Sequence, residues 1–194
     1  MVAHIVGRPF TPPSPPRTPK SAKTRRRLLE VAALLFIERG YAAVSMHDIA
    51  TAAGLTKGAV YGHYRSKGQL LVEVIRSKLA ERDDAPGFAE ASSSLERGVD
   101  LIFDARAREL RLLEVDAAAA ARHDPDVAAG LGSLYRERYA AIRDGMSTMR
   151  DPDTAAWLVG VLTVGIGAKE FDGLPLPEPE RLHAALVAIL RALE

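Results

Sequence analysis

Apolar positions recur at helical spacing along almost the whole chain, and no segment keeps up the alternation of a strand. Leu28, Val31, Ala32, Leu35 and Phe36 define a first helix over about 22–39, which Gly40 stops. Ile49, Ala52 and Ala53 give a short second helix one small apolar face. After a brief third segment, Leu70, Leu71, Val74, Ile75 and Leu79 line a long helix over about 67–81, broken by Asp83 to Gly87 with Pro86 among them. Further helices are predicted over about 92–106, 108–122, 125–149, 152–171 and 178–193. Pro125, Pro152 and Pro179 fall near their starts, where a missing amide is tolerated. The last carries a stripe of Leu182, Ala185, Leu186, Ile189, Leu190 and Leu193. The one before it carries Leu158, Val159, Leu162 and Ile166, with Gly160, Gly165 and Gly167 permitting close approach. The pattern predicts an all-α fold.

Local chemistry is densest over 45–70. Ser45 and Asp48 have the spacing of a capping box, in which the hydroxyl takes an orphan amide and the carboxylate favours the positive helix end. Gly54 supplies the left-handed residue that ends this helix, Leu55 tucks under the turn, and Thr56 caps the next helix. Ala50, Ala53 and Ala59 let the two helices cross closely. Helix, glycine turn and helix in so few residues are the dimensions of a helix-turn-helix. Its second helix starts at Thr56, Lys57 and Gly58, where side chains reach base edges or phosphate and a glycine lets the backbone approach. Tyr61, His63 and Tyr64 lie toward its far end as candidate phosphate donors. Ser66 and Gln69 form a second capping box, S-x-x-Q. Lys67, in the first turn after it, opposes the helix dipole unless an anion such as a DNA phosphate is present. Ser45, Met46 and His47, at the start of the first motif helix, complete the predicted DNA-facing set.

Residues 24–70 resemble the DNA-binding domain of TetR/AcrR-type transcriptional regulators. The resemblance is carried by Ala32, Leu35, Phe36, Gly40 and Tyr41, then Ser45, Ile49, Ala50, Ala53, Gly54 and Leu55. Lys57, Gly58, Tyr61, His63, Tyr64, Lys67 and Leu70 complete it as the run G-x-x-Y-x-H-Y-x-S-K-x-x-L, with Tyr64 where Phe is common. It implies an N-terminal three-helix helix-turn-helix domain and a C-terminal helical domain for ligand binding and dimerisation. It also implies a homodimeric repressor that leaves a double-stranded DNA operator when a small-molecule effector binds, paired through its last two helices (about 152–171 and 178–193).

Charge changes the picture only when the chain is divided. The formal net charge of +1 hides a split. Residues 1–82 carry 14 Lys/Arg against 5 Asp/Glu, and residues 83–194 carry 12 against 20. A basic front and an acidic back suit a DNA-facing domain joined to one that does not face DNA. Residues 1–20 hold six of the 12 prolines and little apolar periodicity, which predicts a disordered tail. A basic stretch (Arg17, Lys20, Lys23, Arg25, Arg26, Arg27) leads into the first helix and suits an arm along DNA or a solvated tail. The expected domains are therefore a tail over 1–20, a DNA-binding domain over 21–85 and an effector-binding and dimerisation domain over 86–194. There is no cysteine, no apolar run of membrane-spanning length and no charged-then-apolar leader at the start. Together these predict a cytoplasmic protein without a membrane partner.

The rear half identifies its ligand poorly. Phe103, Leu113, Tyr135, Tyr139, Met146, Met149 and Trp157 are candidate pocket residues, although residues at this spacing more often fill a plain core. Arg106, Arg108 and Arg111 are suited to an acidic ligand or to pairing with carboxylates such as Glu114 and Asp116. His123 with Asp124 and Asp126 is better explained as a loop beside Pro125 than as a metal site, and no cofactor is predicted. His183 has no evident partner. No phosphate loop, H-E-x-x-H or nucleophile elbow is present, so catalysis is not predicted. A constitutive DNA-binding protein without ligand control is the nearest alternative. An enzyme with a basic DNA-binding appendage is a more distant one.

Overall fold

The computed structural model describes residues 9–16, 18–86, 95–103, 105–171 and 177–192. All secondary structure among them is helical. In chain order the helices are α1 (Pro19–Arg39), α2 (Met46–Ala53), α3 (Lys57–Tyr61), α4 (Lys67–Asp83), α5 (Leu95–Phe103), α6 (Ala105–Ala120), α7 (Pro125–Gly145), α8 (Pro152–Phe171) and α9 (Pro179–Arg191).

The chain divides into two compact units, one of them the run to Ser77 with Asp116–Leu134, the other Lys78–Val115 with the run from Tyr135 on. Residues 116–134 thus pack with the front of the chain, although they belong to the stretch expected to form the rear domain.

In the first unit, local signals set the helix ends. The Thr18 hydroxyl accepts from Ser21 N at 3.2 Å and Pro19 opens α1, which therefore starts before the predicted 22. Gly40, at φ 77°, ends it. The Ser45–Asp48 capping box forms in both directions, with Asp48 N donating to Ser45 Oγ at 3.2 Å and Ser45 N to Asp48 Oδ2 at 2.8 Å. Gly54 is left-handed, at φ 65° and ψ 37°. The second box differs from expectation. Gln69 N donates to Ser66 Oγ, but Gln69 Oε1 accepts from Arg65 N, one residue before the cap.

Leu28, Ala32 and Phe36 of α1, Ile49 and Ala53 of α2, Val60 of α3 and Leu70, Leu71, Val74 and Ile75 of α4 are all buried. Each large aliphatic side chain among them contributes about 1.5–3 kcal/mol relative to exposure. From Gly68 to Ile75, α4 is buried on every side. Val127 and Gly130 of α7 lie against it at Gly68 and Val72, and Leu131 and Leu134 of the same helix are buried in this unit. A Cβ at Gly130 would lie 2.6 Å from Val72 Cγ2, so the glycine is what allows α4 and α7 this close. Part of the tail expected to be disordered packs here as well. Gln69 Nε2 donates to the Thr11 carbonyl at 2.7 Å, and Phe10 lies against Gly130.

In the second unit, Val99 and Ile102 (α5), Ala155 and Ile166 (α8) and Leu186, Val187 and Leu190 (α9) form the core. Phe103, Met146, Met149, Val159, Leu162 and Leu182 pack around it. The predicted stripes thus face inward in part, while Trp157, Val161 and Ile189 remain exposed. Leu193 lies outside the described residues. α7 ends at Gly145 rather than 149, in a turn that Met146 N closes onto Ile142 and Arg143 carbonyls.

Candidate nucleic-acid interface

The Gly54 turn sets α3 on the surface of its unit. Gly54 N reaches Ala50 and Thr51 carbonyls, and Leu55 N reaches the Ala50 carbonyl at 2.9 Å. Thr56 Oγ1 then accepts from Ala59 N at 3.2 Å and starts α3. Val60 is the buried anchor of this five-residue helix. Thr56, Lys57, Gly58 and Tyr61 all face outward. The Lys57 ammonium lies 5.8 Å from the Tyr61 ring centroid, within cation–π range. A Cβ at Gly58 would meet nothing within 4 Å, so the backbone there is open to a close partner. His63 is half-buried beside Tyr64, and the Arg27 guanidinium approaches Gly54 from α1. This arrangement offers a hydroxyl, an ammonium, a phenol and bare backbone along one short rod, the donor types that read base edges and phosphates.

Not every predicted contact residue is available. Met46 and Tyr64 are buried in the core, so neither reaches DNA from this conformation. The Tyr64 hydroxyl is buried with the Arg25 guanidinium near its ring, and burial pushes its pKa up to about 12 against the pull of that cation. Ser45 is exposed but engaged with Asp48 through its hydroxyl as well as its amide. That hydroxyl holds the Asp48 carboxyl below the usual carboxylate range, with help from the Ser45 amide. His47 is exposed.

Lys67 is turned inward. Its Nζ donates to the Tyr41 carbonyl at 2.7 Å and the Val44 carbonyl at 2.8 Å, closing the loop between α1 and α2. Burial lowers its pKa. Two aspartates hold the same loop. Tyr41 N donates to Asp116 Oδ2 at 2.6 Å and Tyr41 Oη to Asp124 Oδ2 at 2.8 Å. Asp124 also caps α7, accepting from Asp126 N and Val127 N through Oδ1. Arg65, absent from the predicted set, is exposed just ahead of α4. Its adjacency to the S-x-x-Q signature was the available clue.

The predicted pocket residues of the second unit have separate fates. Leu113 is fully buried, and Phe103 and Met146 pack on the core. Tyr139 donates to the Asp153 carbonyl and carboxylate. Trp157 is 59% exposed and lines no interior. The Arg106 side chain lies outside the described residues. Arg111 is buried and already satisfied. Its Nη2 donates to Glu170 Oε1 at 2.6 Å, its Nε to Glu170 Oε2 at 3.1 Å and its Nη1 to the Ile102 carbonyl. His183, read as partnerless, pairs with Asp100 at 3.1 Å.

Residues 28–74 match the family described as bacterial regulatory proteins, tetR family. The repressor KstR2 of Rhodococcus jostii (strain RHA1) is 42% identical over 70 residues, 36% of this chain and 34% of that protein. The regulator AcrR of Shigella flexneri is 40% identical over 55 residues, 28% of this chain and 26% of that protein. The matched stretch thus spans about a third or less of these relatives. Solved structures share the fold over more of the chain. A Saccharomonospora viridis protein in complex with choline has a TM-score of 0.65 at 23% identity, covering 88% of this chain and 96% of that one. NalD, the secondary repressor of the MexAB-OprM multidrug efflux pump in Pseudomonas aeruginosa, has 0.59 at 20%, covering 88% and 96%.

Proposed function

We propose that this chain, whose N-terminal domain is that of a tetR-family regulator, is a homodimeric transcriptional repressor released from its operator by a small-molecule effector. The observation that carries the DNA-binding part is α3, a short rod pinned by Val60 and Gly54 with Thr56, Lys57, Gly58 and Tyr61 exposed along it. Lys57 and Thr56 read bases, while Tyr61, His63 and Arg65 hold phosphates. The basic front and acidic rear of the chain support the same division of labour.

A two-fold operator needs two such rods about 34–36 Å apart, which one chain does not supply. Trp157 and Val161 on α8 and Ile189 on α9 support pairing through these helices, being large apolar groups left exposed at 59%, 46% and 47%. That a protein of this fold was solved with choline supports a small-molecule effector. Release is then a population shift. An effector that binds better to the state with mismatched rods draws the dimer into that state, to the extent of its differential affinity.

Selection of bound duplexes from a random double-stranded library tests the reading. The expected product is a palindrome with half-sites one helical turn apart, and Lys57→Ala changes its preferred bases. A library that shows no enrichment would overturn the proposal.

A further inference from the structure

Gln69 is 4% exposed, in the first turn of α4, and both ends of its side-chain amide are used. Its Oε1 accepts from Arg65 N at 2.8 Å, and its Nε2 donates to the Thr11 carbonyl at 2.7 Å. The amide thus ties the turn between α3 and α4 to a segment 58 positions earlier in the chain. Next to Thr11, the Phe10 ring sits in a notch between α4 and α7. The notch exists because residue 130 is glycine, where a Cβ would lie 2.9 Å from Phe10 Cε2 and 2.6 Å from Val72 Cγ2. Five of the eight residues over 9–16 are proline. Proline has a fixed φ and no amide to satisfy, so holding this stretch in place costs less entropy than holding an ordinary tail. The same turn has a second anchor, since Ser66 Oγ donates to Asp126 Oδ2 of α7.

We infer that Phe10, Thr11 and Gln69 are positioning residues for DNA binding, and that the proline-rich segment is a strap holding the turn that carries Arg65. This rests on the reading of Arg65 as a phosphate contact given above. In a capping box the side chain three residues into the helix accepts from the cap amide. Gln69 instead reaches one residue further back, to Arg65, and the Thr11 carbonyl fixes its other end there. Without that carbonyl a buried side-chain NH2 loses its acceptor, and the amide must turn toward water to recover one. That turn releases Arg65 N, while Ser66 stays anchored to Asp126 and α4 keeps its start. The strap leaves the cation room. Arg65 is exposed and borders a hollow of about 450 Å³ with Pro9, Phe10, Thr11, Gln69 and Asp126. Its backbone is therefore held while its side chain is free to reach outward, the arrangement that a directed charge-assisted bond to phosphate requires.

Hydrogen exchange of the Arg65 amide in the full chain, without DNA, tests the strap by itself. Phe10→Ala is expected to speed this exchange at least about tenfold, while the Leu70 amide, bonded to the Ser66 carbonyl, stays slow. Phe10→Leu keeps an apolar plug in the notch and should restore most of the protection. Binding to a selected duplex is then followed across salt. Arg65→Ala should lower the slope of log affinity against log salt by about 1 unit. Phe10→Ala removes no charge, yet it should lower the slope by a similar amount, and the double variant should lower it no further. A strap that only stabilises the fold would reduce the melting temperature of Phe10→Ala and leave its slope at the parent value. That result, or unchanged exchange at Arg65, would overturn the inference. A slope that Arg65→Ala itself leaves untouched would overturn it through the phosphate reading instead, and the exchange result would then show that the strap was not at fault.

Discussion

The Lys67 ammonium donates to the Tyr41 carbonyl at 2.7 Å and lies 4.1 Å from the centroid of the Tyr41 ring. A lysine whose sequence position suggests a phosphate contact is thus the clasp of the loop between α1 and α2. The Val44 carbonyl takes a second of its protons, and Asp116 and Asp124 accept from the Tyr41 amide and hydroxyl. Lys67→Ala strips donors from part-buried carbonyls and should cost about 1–3 kcal/mol of stability. Operator affinity should fall with the loss of folded protein and of loop geometry. Because no phosphate contact is removed, the slope of log affinity against log salt should stay unchanged. A slope smaller by about 1 unit would return Lys67 to the DNA surface.

Acid should act on the first motif helix through Asp48. The Ser45 hydroxyl, and then its amide, hold the folded-state pKa of this carboxyl below its unfolded value. A depressed carboxyl pKa gives stability that is complete above the unfolded value. That stability is lost as pH falls through the folded value, when the proton displaces the bonds to Ser45. Asp48→Asn should therefore flatten the acid limb of the stability curve below about pH 4, measured by chemical denaturation across pH. An unchanged limb would mean that the capping box does not persist in solution.

The turn was legible in the sequence because its causes are local. Gly54 must be left-handed, and Ser45, Thr56 and Ser66 each cap from within three residues. The errors share the opposite property. Met46 and Tyr64 sit at motif positions next to exposed residues, and only the packing of α1, α2 and α4 decides that they turn inward. The partners of the second-unit side chains were hidden for the same reason. Arg111 meets a glutamate 59 positions away, and His183 an aspartate on α5. Nothing in their own segments signals these partners. The packing of residues 116–134 with α4 was equally invisible, since Gly68 and Gly130 read only as weak helix formers until they are set against each other.

Tyr64→Phe separates a core role from a DNA role. The ring fills the core and the hydroxyl is buried, with Arg25 beside the ring. Deleting that oxygen keeps the packing and removes at most a weak interaction with Arg25, so stability should change by less than about 1 kcal/mol. Operator affinity and its salt slope should stay as they are. A clear drop in affinity with normal melting would show that the phenol does reach DNA and that the loop opens to let it.

The apolar residues left outside on α8 and α9 bear on the assembly. Trp157 and Val161 are one helical turn apart, and Cβ atoms at Gly160 and Gly165 would meet nothing within 4 Å. A lone soluble chain gains nothing from a tryptophan in water, whereas a paired one buries it next to glycines that let another helix approach. Trp157→Glu places a charge on that face. If the pair forms there, the charge is buried against its own symmetry mate, a like-charge contact without a partner. Sedimentation should then show the variant as a single chain at concentrations where the parent is a dimer. Its melting temperature should lose its dependence on protein concentration. Operator affinity should drop far more than half-site affinity, because only the dimer holds two α3 rods at once. A Trp157→Glu variant that stays dimeric would move the interface off α8, and a parent chain that sediments as a monomer would remove the two-fold mechanism altogether.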